Sequence, residues 1–431
     1  MPETRDQLPA SFWTRFKRHP LLRMGPGLIT GVADDDPSGI ATYSQAGAQF
    51  GLDMLWTMPL CYPLMSAVQQ MCAEIGRVTG RGLAANIKLA FPPVVLRIVV
   101  ALLLIANTLN IAADVAAMGE VGELVTHVDR HVMTLVFVVI TLGLQIFVPY
   151  DRYVVFLKWL TLSLIAYALV LFTVHVPWAS VALRTIWPRV SPTREAAAVV
   201  VGVFGTTISP YLFFWQAAEE VEDMTNGKGR SLLDSPEETG IREIGRIRWD
   251  TWTGMFYSDI SAYFIILATA VTLHVSGVTD IGTAADAARA LLPIAGRFAF
   301  TLFALGMVGV GLIGVPVLAG SGAYALAETM GWNQGLGEKL EDAKGFYAVI
   351  AISVLVALAG QYTPLDPMKG LFWSAVINGV VAVPLLVVIT LLAAKTSVMG
   401  RFTSRRPILA LGWLAAIIMG FASIMMLALG G

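Results

Sequence analysis

Charged side chains are scarce in this sequence. Asp, Glu, Lys and Arg make up 14% of its 431 residues, while hydrophobic residues make up 56%. Because a soluble globular domain has about 25% charged residues, this composition predicts a polytopic membrane protein. The formal net charge is −1, which leaves no global basic field and excludes a dedicated nucleic-acid partner.

Cysteines and nucleotide-binding patterns are equally sparse. Cys61 and Cys72 lie in one predicted helix, about 16 Å apart along its axis, which is too far for a disulfide within that helix. The sequence has no phosphate-binding loop and no nucleophile constellation. We therefore predict that the protein is not an enzyme, that it needs no cofactor and that it has no obligate protein partner.

Apolar segments long enough to cross a hydrocarbon core of about 30 Å recur along the whole chain. They predict eleven transmembrane helices, at residues 25–50, 52–75, 94–118, 132–149, 153–176, 196–222, 251–274, 298–327, 344–361, 370–394 and 407–429. Most of the 29 Lys and Arg residues fall on the side of the membrane that holds the N-terminus. The positive-inside rule makes that side cytoplasmic and places the C-terminus outside. A bacterial inner membrane is the expected location.

The spans divide into two groups of five helices and one extra helix. The predicted organisation is a cytoplasmic tail at 1–24, repeat one at 25–176, an extracellular loop at 177–195, repeat two at 196–394 and an eleventh helix in 395–431. Repeat two contains a charged cytoplasmic loop at 223–248, which we interpret as a solvated connector. The predicted fold is therefore all-α, with two inverted repeats.

Two of the spans are interrupted near their middle. The first break is predicted at 34–39, around Pro37 and Gly39, and the second at 206–210, which ends at Pro210. Proline removes a backbone donor and glycine tolerates non-helical dihedrals, so both sites favour unwound backbone. Either the prolines only kink packed helices, or the paired breaks form the binding site of an inverted-repeat transporter. We favour the binding site, because the first break also carries carboxylates.

Three consecutive aspartates stand at the first break. Asp36 adjoins the proline and is predicted to lie deepest, whereas Asp34 and Asp35 are candidates for an access path. A carboxylate in the membrane is costly and usually functional. Beside unwound carbonyls it forms the oxygen-rich, negatively charged pocket that hard cations such as Mg²⁺ and Mn²⁺ prefer.

Other polar residues in the predicted spans have more than one interpretation. Asp259 has three interpretations. It is a carboxylate that contacts the metal ligands but not the metal, it lines the inner exit path, or it forms a hydrogen bond to a neighbouring helix. Asn378 is a further oxygen ligand or, as we favour, a packing amide. Thr206 and Thr207 are candidate site residues at the second break; alternatively, their hydroxyls bond to carbonyls of their own helix.

Acidic residues also cluster where the sixth span reaches the cytoplasm. Glu219 and Glu220 oppose the dipole of the helix end. They either pair with basic residues nearby or form a vestibule that attracts cations.

The motifs at both breaks resemble those of the natural-resistance-associated macrophage protein (Nramp) family, and most closely its magnesium-transporter branch. The similar stretches are "DPSGIATYSQAGAQFG", "EIGRVTGRGLA", "NIAADVAAMGEVGE", "GTTISPY" and "LFALGMVGVG...AGSGAYALAE". The resemblance covers nearly the whole chain. It implies the leucine-transporter fold and transport of divalent metals by alternating access.

The resemblance also implies a set of metal-binding positions. The family's metal-binding aspartate falls on Asp36, its carbonyl ligands fall on Ala33 and Thr206, its asparagine falls on Gly39, and its methionine falls on Ser209. Loss of a thioether removes a ligand that prefers softer metals. Because Gly39 and Ser209 are also small, we expect a roomier site that suits a hydrated Mg²⁺.

The family's proton-relay positions are altered as well. Asp114 is kept, but the neighbouring acidic positions read Ala117 and Asn107, and the helix-six histidines read Tyr211 and Gln216. A relay needs groups that titrate in series, so we predict Mg²⁺ transport, with Mn²⁺ tolerated, that is not proton-coupled. The alternatives are proton-coupled uptake of manganese or iron and transport of a small organic solute on the same fold.

Overall fold

The computed structural model describes residues 26–148, 162–189, 192–225, 230–362 and 366–429, and within these ranges the chain is helical without strands. We number the α-helices in chain order. They are α1 Pro26–Asp34, α2 Pro37–Phe50, α3 Thr57–Thr79, α4 Leu83–Ala90, α5 Pro93–Thr126, α6 Arg130–Phe147, α7 Ile165–Val170, α8 Trp178–Ile186, α9 Arg194–Thr207, α10 Pro210–Asp223, α11 Glu237–Thr269, α12 Ala284–Ala288, α13 Leu292–Ala295, α14 Ala299–Met330, α15 Lys344–Gly360, α16 Pro367–Ala394, α17 Thr396–Met399 and α18 Arg406–Ala428.

Most of the described residues of the predicted spans are helical, but the fifth span departs from this: its helix ends at Val170, and residues 171–176 form turns and irregular backbone. Within the described ranges, seven helical stretches are long and apolar enough to cross a membrane, and α15 is a shorter apolar helix. The first span is divided between α1 and α2, and the second is the more polar helix α3. The first part of the fifth predicted span, residues 153–161, and the N-terminal tail at 1–24 lie outside the described residues.

Both predicted breaks are present but are shorter than expected. The first leaves only residues 35–36 between α1 and α2, and the second leaves only residues 208–209 between α9 and α10. Pro37 and Pro210 each stand at the first position of the following helix, where a missing backbone donor has no cost. The prolines therefore restart the helices immediately after the interruption.

Two predicted loops are partly helical. The segment predicted as a solvated connector at 223–248 contains the start of α11, which begins at Glu237 and runs without interruption into the seventh span. Ile241, Ile244 and Ile247 recur at helical spacing, and two glutamates in the first turn favour the helix dipole. The predicted extracellular loop at 177–195 likewise contains α8.

The interrupted sixth span lies at the centre of the bundle. In its most apolar window 94% of the residues are buried, compared with 22% for α6 and 28% for α18, which face outwards. Close glycine contacts pack helices around this centre: a Cβ on Gly31 of α1 would lie 2.2 Å from the Gly254 carbonyl oxygen of α11. Such small-residue contacts let membrane helices approach closely, and here they hold the first break against α11.

Candidate metal-binding site

Asp36 lies at the first break and caps the helix that follows it. Its Oδ1 accepts hydrogen bonds from the Gly39 backbone nitrogen at 2.9 Å and from Ser38 Oγ at 2.6 Å. This is the usual arrangement of an N-cap aspartate, which satisfies a backbone donor of the first turn. One carboxylate oxygen is therefore used by the local structure, and the other points across the bundle.

The second oxygen of Asp36 meets residues from two other helices. Oδ2 accepts a hydrogen bond from Asn110 Nδ2 of α5 at 2.9 Å, and the Tyr211 hydroxyl of α10 lies 3.3 Å from it. The same hydroxyl is 3.5 Å from the Ala33 carbonyl oxygen. Asp36, Asn110 and Tyr211 are all buried, so the two breaks and α5 converge on one carboxylate.

Asn110 joins two further polar residues to this group. Its Nδ2 is also 3.2 Å from Asp114 Oδ2, and its Oδ1 accepts a hydrogen bond from Asn378 Nδ2 of α16 at 3.2 Å. Asn110 was not among the predicted site residues, although it stands four residues before Asp114 and hence on the same helix face. Asp114 and Asn378, by contrast, were among the predicted surrounding residues.

At the second break, side-chain hydroxyls bond to their own helix. Ser209 Oγ lies 2.7 Å from the Gly205 carbonyl oxygen and 2.6 Å from that of Thr206. Thr207 Oγ1 lies 2.9 Å from the Val203 carbonyl oxygen and 2.8 Å from Cys61 Sγ. The Thr206 carbonyl, a predicted ligand, is therefore satisfied by Ser209 in this conformation.

Gly39 lies where the two breaks touch. A Cβ on Gly39 would lie 3.2 Å from Thr206 Oγ1 and 3.2 Å from Tyr43 Cε2. Ser38 Oγ is 3.4 Å from the same Thr206 oxygen. In this conformation the space that a larger side chain would fill is thus already lined by Thr206 and Tyr43.

Asp34 and Asp35 form a separate group that faces α11. Ser258 Oγ lies 2.5 Å from Asp34 Oδ2 and 3.1 Å from Asp35 Oδ1. The next residue of α11 is Asp259, whose Oδ1 is buried without a hydrogen-bond partner among the described residues. Asp34 and Asp35 therefore share Ser258, with Asp259 as the next residue of α11, and within the described residues no hydrogen bond joins their side chains to that of Asp36.

Glu220, one of the acidic residues in the last turn of α10, pairs with a cation. Glu220 Oε2 lies 2.7 Å from an Arg246 nitrogen, and Glu243 links Arg246 to Arg77 through contacts of 3.1 Å and 3.2 Å. Glu219 precedes Glu220 and is half-buried. For Glu220 this geometry favours the pairing interpretation over an open vestibule.

No three His, Cys, Asp or Glu side chains within the described ranges are grouped so that they could hold a metal ion together. Any cation bound here would depend on Asp36, neutral oxygens and its own water. A cavity of about 470 Å³ lies along the C-terminal half of α2, where Ala41, Gln45 and Gln49 line it from one helix face.

A bundle of membrane-length helices in which two interrupted helices meet at a buried carboxylate has the architecture of a secondary transporter. The sequence profile described as "natural resistance-associated macrophage protein-like" matches residues 27–429. The chain belongs to this family of membrane transporters.

Individual relatives agree with this assignment. The chain is 25% identical over 403 residues to a protein of Deinococcus radiodurans named divalent metal cation transporter MntH, and the match covers 92% of this chain and 87% of that protein. A crystal structure of the Eremococcus coleocola manganese transporter superposes with a TM-score of 0.76 at 18% identity, over 97% of this chain and 88% of that one. Mhp1, a nucleobase-cation-symport-1 family transporter, gives a TM-score of 0.55 at 11% identity, over 94% and 92%. The fold is the leucine-transporter fold, with two inverted five-helix repeats and an eleventh helix, as predicted.

Proposed function

We propose that this protein is a secondary transporter of divalent metal cations that prefers Mg²⁺, tolerates Mn²⁺ and works without proton coupling. One observation carries the proposal. Asp36 is a buried carboxylate at the meeting point of both helix breaks, and its contacts are hydroxyl, amide and backbone groups. These groups offer a hard cation oxygen ligands together with hydrogen-bonding partners for its water shell.

The donor set supports a hard metal over a soft one. Among the described residues no thioether or imidazole contacts Asp36, and the thiol of Cys61 bonds instead to Thr207. Mg²⁺ gives up its water reluctantly and usually binds through one or two carboxylates. The names of the relatives, divalent metal cation transporter and manganese transporter, support the same substrate class.

The surroundings of Asp36 also argue against a proton relay. Tyr211 stands at a position where the family has histidine, and Asn110 contributes an amide. Neither side chain titrates in the range that a relay uses. Uptake would then be driven by the membrane potential, which contributes about 2.3 kcal/mol per charge for each 100 mV.

The remaining features follow from the same proposal. Alternating access would open the Asp36 group first to the outside, through the cavity along α2, and then to the cytoplasm. We place the protein in a bacterial inner membrane, with its N-terminus cytoplasmic and its C-terminus outside. The metal ion is the substrate and no cofactor, enzymatic activity or obligate protein partner is part of the proposal.

Uptake into proteoliposomes tests the proposal. The intact chain should take up Mg²⁺ and Mn²⁺ without acidifying the lumen, and Asp36→Asn should abolish uptake, whereas Asp342→Asn, at an exposed position before α15, should transport normally. Stoichiometric proton flux would favour the proton-coupled manganese or iron alternative. Full transport by Asp36→Asn would contradict the site itself and reopen the organic-solute alternative.

A further inference from the structure

Asn110 holds two buried carboxylates with one amide nitrogen. Its Nδ2 lies 2.9 Å from Asp36 Oδ2 and 3.2 Å from Asp114 Oδ2. Because ionised carboxylate oxygens only accept hydrogen bonds, the amide nitrogen rather than the amide oxygen must face them. Hydrogen bonding thus fixes the orientation of Asn110 in this conformation.

The other end of the amide is held by Asn378. Asn378 Nδ2 donates to Asn110 Oδ1 at 3.2 Å, while Asn378 Oδ1 is buried and has no partner within the described residues. Asp114 Oδ1 is also buried without a partner there. Unpartnered buried acceptors are costly, and here two of them adjoin the same pair of amides.

A hydrated divalent cation would supply the donors that this group lacks. Its water molecules direct their O–H bonds outwards, so they can replace Asn110 Nδ2 at Asp36 and Asp114. A reversed Asn110 amide would then direct Oδ1 to the cation or its water and Nδ2 to Asn378. Asn378 can accept that bond through Oδ1, which becomes available when its own amide turns.

We infer that Asn110 is a cation-binding residue whose amide reverses when the site is occupied, with Asn378 turning in concert and Asp114 providing the second negative charge. This inference rests on the proposed function, because it concerns the cation that Asp36 binds. It explains how a site in which only Asp36 contacts the cation can balance two positive charges: the second carboxylate, Asp114, lies on the far side of the Asn110 amide. It also assigns a role to Asn378 beyond packing.

Binding and uptake of Mg²⁺ by three variants of the full chain test this inference. Asn110→Leu removes both ends of the amide at similar size, and we expect KM for Mg²⁺ to rise by about 10- to 100-fold, as when a metal-binding partner is lost. Asn110→Ser keeps a small oxygen and should recover part of the affinity. Asn107→Leu is the matched control, since Asn107 lies one turn away on α5 and bonds to the Leu318 carbonyl and Ser321. It should retain the wild-type KM.

Infrared difference spectroscopy separates cation binding from a purely structural role. With side-chain-labelled asparagine, adding Mg²⁺ should shift an amide carbonyl band in the wild type and in Asn107→Leu, but not in Asn110→Leu. An unshifted wild-type spectrum, or a wild-type KM in Asn110→Leu, would overturn the inference. If Asp36→Asn still abolishes uptake in that case, the proposed function stands without it; if Asp36→Asn transports normally, both fall.

Discussion

Ser258 Oγ of α11 lies 2.5 Å from Asp34 Oδ2, so the aspartate that ends α1, just before the first break, is held by the seventh span and not by the site at Asp36. The same hydroxyl approaches Asp35 at 3.1 Å. The three consecutive aspartates therefore contact two different sets of residues: Asp34 and Asp35 contact α11, whereas Asp36 contacts α5 and α10. This division separates their expected roles: Asp36 binds the cation, and Asp34 and Asp35 affect stability and access.

Replacing Asp34 by asparagine should stabilise the protein. Asp34 is fully buried and one of its oxygens has no hydrogen-bond partner in the described part of the chain, and a charge in this environment is costly. The amide oxygen that Asp34→Asn introduces would still accept from Ser258. We expect a higher apparent melting temperature, by about 1 °C for each kcal/mol gained in a chain of this length, in thermal unfolding of the detergent-solubilised protein. Asp342→Asn, at an exposed position, should leave the melting temperature unchanged, and a lower value for Asp34→Asn would contradict the argument.

Adding a side chain at Gly39 should crowd both Thr206 and Tyr43. The Cβ of Gly39→Ala would lie 3.2 Å from Thr206 Oγ1, which is closer than ordinary contact. We expect Gly39→Ala to slow Mg²⁺ uptake. Thr206→Ala should restore part of the rate, because it removes the crowded Oγ1 atom while the Thr206 backbone carbonyl, the predicted ligand, stays in place. A double-mutant cycle on uptake rates should show a favourable coupling on the order of 1 kcal/mol between the two positions. Strict additivity would indicate that the added methyl group is accommodated elsewhere.

The positions of the two breaks could be predicted from sequence because proline and glycine act locally. Pro37 and Pro210 interrupt the hydrogen bonding of their own helices wherever those helices pack. The alternative that Thr207 bonds to a carbonyl of its own helix also concerned local geometry, and the structure has that bond.

Contacts between distant helices were harder to predict. Asn110 meets Asp36 only because α5 crosses the first break, and nothing in the sequence around Asn110 specifies that crossing. The start of α11 was missed because its charges were interpreted as solvated, whereas Glu243 and Arg246 pair across helices with Arg77 and Glu220. Charge in a sequence shows that a partner is required, but packing determines which partner is available.

The ion pair of Glu220 and Arg246 should contribute to stability and not to cation affinity. Glu220 is buried, while the Arg246 side chain is 34% exposed and also contacts Glu243. Glu220→Gln removes the closer of the two carboxylates that Arg246 contacts and leaves the arginine with Glu243 alone, so it should lower the melting temperature. Adding Arg246→Gln should recover part of the loss, since the double variant has no arginine that lacks its closer carboxylate. KM for Mg²⁺ should stay at the wild-type value throughout, and a raised KM in Glu220→Gln alone would support a cation-attracting vestibule instead.

Introducing methionine at Ser209 should shift metal preference towards softer ions. A thioether binds Mn²⁺ poorly but Cd²⁺ well, and it adds nothing for Mg²⁺. Ser209→Met also removes the hydroxyl that donates a hydrogen bond to the Thr206 carbonyl oxygen. That oxygen then becomes available to a metal. We expect Cd²⁺ to inhibit Mg²⁺ uptake more strongly in Ser209→Met than in the wild type, measured as a lower inhibitory concentration in proteoliposomes.

Ser209→Ala is the matched control, because it frees the same carbonyl without adding sulfur. If both variants become equally sensitive to Cd²⁺, the freed carbonyl and not the thioether determines the preference; if neither changes, residue 209 does not face the bound metal.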